Sequence, residues 1–245
     1  MKAPLLPKIL SAATLALACL SSPASAGNYT GYMNVFFNNS GSQGGYIFGS
    51  NWGVSDLKTT VLTSNNGTMI GDQLRLQPNY NTYADSLAAG NGDRAFWTNS
   101  TDGGVTAGPD GNKWLVARTY VETTSISLTN YTLEGIVNSN DLNTTLYSAQ
   151  AFIDVLDPLA GYATVLSQST PLPSTGSFSV NADLTAHQGK LLQVGFMMSG
   201  VNANPVNEAS FGGVTVSVVP EPSTYALLML GAAGLAYRSV RRRRR

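Results

Sequence analysis

Between residues 27 and 219 the chain falls into short apolar or alternating segments separated by Gly, Asn, Asp and Ser. The segments are Tyr32–Phe37, Leu57–Leu62, Gln73–Gln77, Lys113–Val121, Tyr131–Val137, Leu146–Leu156, Tyr162–Ser167, Gly176–Ala182, Leu191–Met198 and Val214–Val219. Side chains alternate faces along a strand, so Trp114, Val116, Arg118 and Tyr120 fall on one face and Leu115, Ala117, Thr119 and Val121 on the other. Ser177-Phe178-Ser179-Val180 alternates more cleanly. About ten such strands joined by turns predict an all-β domain, an antiparallel β-sandwich or barrel with a jelly roll as first choice. Asp183–Gly189 reads as a helical turn or loop, and no repeat of fixed period stands out.

The alternation stops between Pro78 and Asn112. A loop of that length in a compact domain is usually functional or disordered. Tyr80, Tyr83, Phe96 and Trp97 argue against disorder, because aromatic residues are scarce in chains that cannot bury surface. With Asp93 and Arg94 as polar neighbours, these four make the segment the first place to look for a ligand site. In the plainer reading, Phe96 and Trp97 plug the open end of the core. Trp52 and Trp114, beside strand patterns, are read as core.

Composition sharpens the class. Only 11% of the 245 residues are charged, against about 25% in an average soluble domain. That is too few for a coiled coil or a helical bundle. The zero net charge conceals a division. Residues 27–219 hold 6 basic and 13 acidic side chains, a net of −7, while the other 8 basic residues lie at the two ends. A body so acidic has no electrostatic footprint for nucleic acid.

The N-terminal end reads as a secretory signal over residues 1–26. Lys2 and Lys8 give a positive start, Ile9 to Leu20 an apolar stretch, and Ala24-Ser25-Ala26 a small-x-small cleavage site before Gly27. About a dozen apolar residues are short for a spanning helix. Cleavage after Ala26 removes Cys19, the sole cysteine, so the mature chain enters an oxidising compartment without a disulfide to form.

The other end carries three features in order. Val219, Pro220, Glu221 and Pro222 come first. An apolar run follows: Tyr225, Ala226, Leu227, Leu228, Met229, Leu230, Gly231, Ala232, Ala233, Gly234, Leu235, Ala236 and Tyr237. Arg238, Arg241, Arg242, Arg243, Arg244 and Arg245 close the chain. The apolar run as a helix is about 20 Å long, short against a hydrocarbon core of about 30 Å. The arginines hold the C-terminus in the cytoplasm, which leaves the body on the far side. Residues 219–245 thus resemble the PEP-CTERM sorting signal of exported proteins in Gram-negative, biofilm-forming bacteria, a tail also labelled an ice-binding protein C-terminal motif. The resemblance implies transient residence in the inner membrane and processing by an exosortase at or near Pro220-Glu221-Pro222. Release to the cell envelope, outer surface or medium would follow. The expected organisation is a signal peptide at 1–26, a β-sandwich at 27–218 and the sorting signal at 219–245. A plain single-pass anchor is the simpler alternative.

For chemistry the body is sparse. His187 is the sole histidine, expected in an exposed turn, and no Gly-x-Ser-x-Gly elbow is present. A nucleophile triad and a zinc site therefore lack partners. Asp154 and Asp157 could pair as glycosidase carboxylates, but they read as a strand end and a turn before Pro158. No cofactor is called for. Calcium is the metal whose hard oxygen donors are present, in Asp93, Asp102, Asp110, Glu208 and many Asn carbonyls. The same groups serve equally as Asx turns. Phe211-Gly-Gly-Val-Thr-Val216 resembles the last strand of carbohydrate-binding-module-like jelly rolls, with Gly212 and Gly213 where those domains have an Asp. Twenty Asn in residues 27–219 supply amides, and Tyr80, Tyr83, Phe96 and Trp97 could supply ring faces for a sugar. The expectation is a non-enzymatic exported envelope or matrix protein. The alternatives are a carbohydrate-binding module acting on exopolysaccharide and a secreted glycoside hydrolase.

Overall fold

A computed structural model describes residues 29–64 and 69–219. The signal peptide with its Ala24, Ala26 and Gly27 cleavage site lies outside these residues. So does the tail from Pro220 on, with its apolar run and arginines. Among the described residues no helix is long and apolar enough to cross a membrane.

Among the described residues eleven strands form two antiparallel sheets. The chain runs through β1 (Thr30–Asn38), β2 (Gln43–Trp52), β3 (Thr59–Thr63) and β4 (Gln73–Leu76). Helices α1 (Asn81–Ala88) and α2 (Asn91–Trp97) follow. Then come β5 (Lys113–Thr123), β6 (Asn130–Asn140), β7 (Tyr147–Asp157), β8 (Ala163–Pro171), β9 (Gly176–Asp183), β10 (Leu191–Val201), the single turn α3 (Glu208–Phe211) and β11 (Val214–Val219). The larger sheet has the order β2-β1-β5-β10-β7-β8 and the smaller the order β3-β4-β11-β6-β9. From β5 onward the chain passes repeatedly from one sheet to the other, so the predicted sandwich forms.

The alternating pattern decides which face is inward. Leu192, Val194, Phe196 and Met198 of β10 are buried together with Ala149, Ala151, Ile153 and Val155 of β7. Opposite them lie Leu133 and Val137 of β6, Phe178 and Val180 of β9, and Val214, Val216 and Val218 of β11. Phe178 meets Phe196 edge to face at 5.8 Å, joining the two sheets.

The β1–β2 side of the large sheet has its own core. Met33, Val35, Leu57, Leu115 and Ala117 are buried there, with Ile47, Phe48, Trp52 and Trp97 packed against them. Phe96 and Trp97 of α2 reach Phe48 of β2 at 6.4 and 6.3 Å. Helix α2 therefore contributes cover on this side.

Two local expectations change. Strand β2 escaped the pattern because Gly44, Gly45 and Gly49 interrupt it, and an edge strand bonded on one side needs no clean alternation. The 78–112 stretch is not one loop. Asn79 Oδ1 accepts from the Thr82 N–H at 3.0 Å and sets the start of α1. Tyr83 and Ser86 are buried along that helix. The rest, from Thr98 to Asn112, is pinned by polar bonds. The Asp102 carboxylate accepts from Thr106 N at 3.0 Å and from Ser100 Oγ at 2.8 Å.

Candidate functional site

The outer face of the large sheet has no layer over it, yet its centre is buried. Phe152 is 1% exposed and Asp154 2%, although both alternate away from the inward-facing Ile153. The cause is a side chain in the middle of the sheet with no bulk. Gly195 of β10 stands between Tyr120 of β5 and Phe152 of β7, and those rings meet edge to face at 6.4 Å. The Arg118 guanidinium then lies over Phe152, 4.8 Å from the ring centre. Arg118 pairs with Asp154, whose other oxygen accepts from Ser167 Oγ at 2.6 Å. Gln193 donates to Glu122 at 2.9 Å alongside. Burial raises the Tyr120 phenol above its usual range, and the Glu122 charge adds to this. The phenol is accordingly a neutral donor and acceptor.

This floor carries an open groove of about 520 Å³ lined by Tyr32, Asn34, Asn51, Arg118, Tyr120, Leu156, Tyr162, Thr164 and Gln193. Strand register accounts for the gathering. Tyr32 is opposite Arg118 on one side and Asn51 on the other, while Asn34 faces Gly49. A methyl at Gly49 would come within 2.5 Å of Tyr32 Oη and Asn34 Oδ1, so the glycine leaves room for both side chains.

Tyr162 forms the rim. It follows Gly161 in the turn after β7, and both residues adopt left-handed φ values, 65° and 63°. Its N–H donates to Asp157 O at 2.9 Å, which holds the turn. An aromatic residue in that region costs on the order of 1 kcal/mol. The ring is nevertheless 62% exposed. Strain combined with exposure of a large side chain does nothing for the core.

The residues singled out from the sequence lie elsewhere. The Tyr80 and Tyr83 rings are 1% and 4% exposed, so neither offers a face to a ligand. This corrects their assignment as binding residues: Tyr80 joins the main core, and Tyr83 Oη donates to Gly108 O at 2.6 Å. Burial pushes the Tyr80 phenol up to about 12. Arg94 is a loop clamp, donating to Gly104 O, Leu87 O, Ala89 O and Asn91 Oδ1. Phe96 is half-buried beneath Lys113 Nζ, 4.3 Å from its ring centre. Asp93 and Trp97 do share a hollow, of about 230 Å³, with Trp52, Thr82, Asp85, Ser86 and Ala89.

Trp52 and Trp114 are half-buried rather than central. Trp114 alternates outward, away from Leu115. His187 is half-buried in the 3-10 turn Thr185–His187, where full exposure was expected. Asp157 caps the turn at Pro158 and pairs with Lys190, whose hydrogen bond holds the carboxyl below its usual range. Glu208 accepts from Gln77 at 2.9 Å and faces Lys58 at 3.8 Å. No group of three or more His, Cys, Asp or Glu that could hold a metal ion occurs among the described residues.

Sequence reasoning missed nearly all of the groove. Six strands and one turn supply it, and it needed the register of non-neighbouring strands. The signals available were glycines inside strand patterns, at 49 and 195, and the Pro-Leu-Ala-Gly-Tyr turn at 158–162.

The end of β11 leads directly into the tail. Val218 is buried, and Val219 pairs with Glu134. The next residue, Pro220, has no N–H with which to continue a strand. Residues 218–244 match the PEP-CTERM protein-sorting motif. The sorting motif marks an exported protein that passes through the membrane toward the cell envelope and is processed by an exosortase. The match covers the tail and the last two residues of β11, and the rest of the sandwich lies outside it. No curated protein and no solved structure matches the chain.

Proposed function

We propose that the β-sandwich is a non-enzymatic component of the cell envelope or extracellular matrix and holds a polysaccharide chain in the outer-face groove. The observation that carries this reading is Tyr162, a strained and exposed ring at the rim of a polar groove. The lining suits the chemistry of a sugar. Tyr32 and Tyr162 offer rings for the apolar face of a pyranose, and Asn34, Asn51, Gln193, Thr164 and Arg118 offer groups for its hydroxyls. An open groove admits the middle of a chain as well as an end. The sorting signal delivers such a domain to the compartment where exported polysaccharide lies.

The hydrolase alternative is less well supported. Asp154 is engaged by Arg118 and Ser167, and Asp157 by Lys190 and the backbone N–H of Leu159. Neither carboxylate is free to act as a general acid.

Affinity electrophoresis of the exported protein in gels containing the host's exopolysaccharide tests the proposal. Retardation is expected for the native chain. Tyr162→Gly relieves the left-handed strain, so it should match or exceed native stability by about 1 kcal/mol while losing retardation. Equal retardation of the variant, or none of either protein, refutes the assignment.

A further inference from the structure

The hollow between β2 and the two helices has its own chemistry. Thr82, Asp85, Ser86 and Ala89 recur at helical spacing, so one face of α1 and its C-cap forms one wall. Asp93 and Trp97, four apart, form a second wall from α2, and Trp52 at the end of β2 forms a third. Asp85 and Asp93 are exposed, and neither carboxylate has a hydrogen-bond or ion-pair partner among the described residues. Two donors are also left over. Thr82 is 3% exposed and its Oγ1 has no partner, and Trp52 Nε1 is buried without one. A buried hydroxyl or indole N–H left unbonded is uncommon.

These features specify a ligand class. Two unpaired carboxylates select a cation. Two indoles select a body with apolar C–H surface or a cation placed over a ring. The unbonded Thr82 and Trp52 donors select an acceptor oxygen on the same body. The volume of about 230 Å³ suits a single small ring. The geometry points to a binding site for an amino sugar bearing a free ammonium group, with the ammonium between Asp85 and Asp93 and ring oxygens toward Thr82 and Trp52. The surrounding body carries a net charge of −7 over residues 27–219, which draws cations toward the site. The hollow uses none of the groove's lining residues, so it stands independently of the polysaccharide reading.

Glucosamine, N-acetylglucosamine and glucose are titrated into the exported protein at pH 6, with binding read by calorimetry and by tryptophan fluorescence. Glucosamine should bind saturably and change the fluorescence. N-acetylglucosamine has the same ring without the charge, and it should bind at least tenfold more weakly, as should glucose. Asp85→Asn with Asp93→Asn, both at exposed positions, should weaken glucosamine binding tenfold or more. Tyr162→Gly should leave it unchanged. The assignment is overturned if glucosamine fails to bind, if the three sugars bind alike, or if the double Asn variant binds glucosamine as well as the native protein does.

Discussion

A glycine and two side chains set the character of this surface. Gly195 lets Tyr120 and Phe152 close over the middle of the large sheet, since a Cβ there would lie 2.2 Å from Thr119 O and 2.6 Å from Tyr120 Cα. Gly195→Ala should therefore destabilise the domain by roughly 1–3 kcal/mol, measured by denaturant unfolding. An unchanged midpoint would mean that the sheet gives way more easily than its register implies. Asp102 plays a separate part, in the 98–112 loop. The Thr106 N–H, with help from Ser100, holds its carboxyl down to about 2. A depressed folded pKa contributes stability that is full above the ordinary carboxyl range and is lost as pH falls through the folded value. The 98–112 loop should thus stay ordered at pH 5 and loosen between about pH 4 and pH 2. Carboxyl-detected NMR should place the Asp102 midpoint near 2, and a midpoint near 4 would remove the cause.

Among the elements, β11 and the α1–α2 pair decide most. Strand β11 is central in the small sheet, bonded to β4 on one side and β6 on the other, and it buries Val214, Val216 and Val218. A secreted chain ending at Val219 should fold, with a β-type circular dichroism spectrum and a monomeric elution volume. A chain ending at Gly213 loses the strand between two others and should be unfolded or degraded. If both fold alike, the small sheet closes without its centre. The helices show why strand patterning was legible here and helix patterning was not. Strand faces are inward or outward over long runs, so a period of two survives in the sequence. Helix α1 has only eight residues and buries Thr82, Tyr83 and Ser86, two of them polar, so its apolar signal is weak.

At the scale of the whole molecule, the sandwich and the sorting motif meet without a linker, since the match begins at Val218 inside β11. The peptide to be processed therefore starts within a residue or two of a folded sheet, a reach of only about 3.6 Å per residue. Replacing Pro220, Glu221 and Pro222 by Ala leaves the apolar run and the arginines untouched. Membrane insertion should persist and release should fail, so that the protein accumulates in the membrane fraction at precursor mass. Processing at the native rate would leave the tail as a plain anchor.

The sequence by itself determined the β class, ten of the eleven strands and the sorting tail. Each is written locally, as a two-residue period or as a short motif with its parts in order. It also pointed to 78–112, where Asp93 and Trp97 do line a hollow. Tertiary structure alone decided that Tyr80 and Tyr83 are core, that Arg94 is a clamp, and that the groove exists. Tyr32, Arg118, Phe152, Tyr162 and Gln193 are scattered over more than 160 positions of chain. Their adjacency depends on strand order and register, which hydrogen bonding between distant segments sets and which no local pattern records.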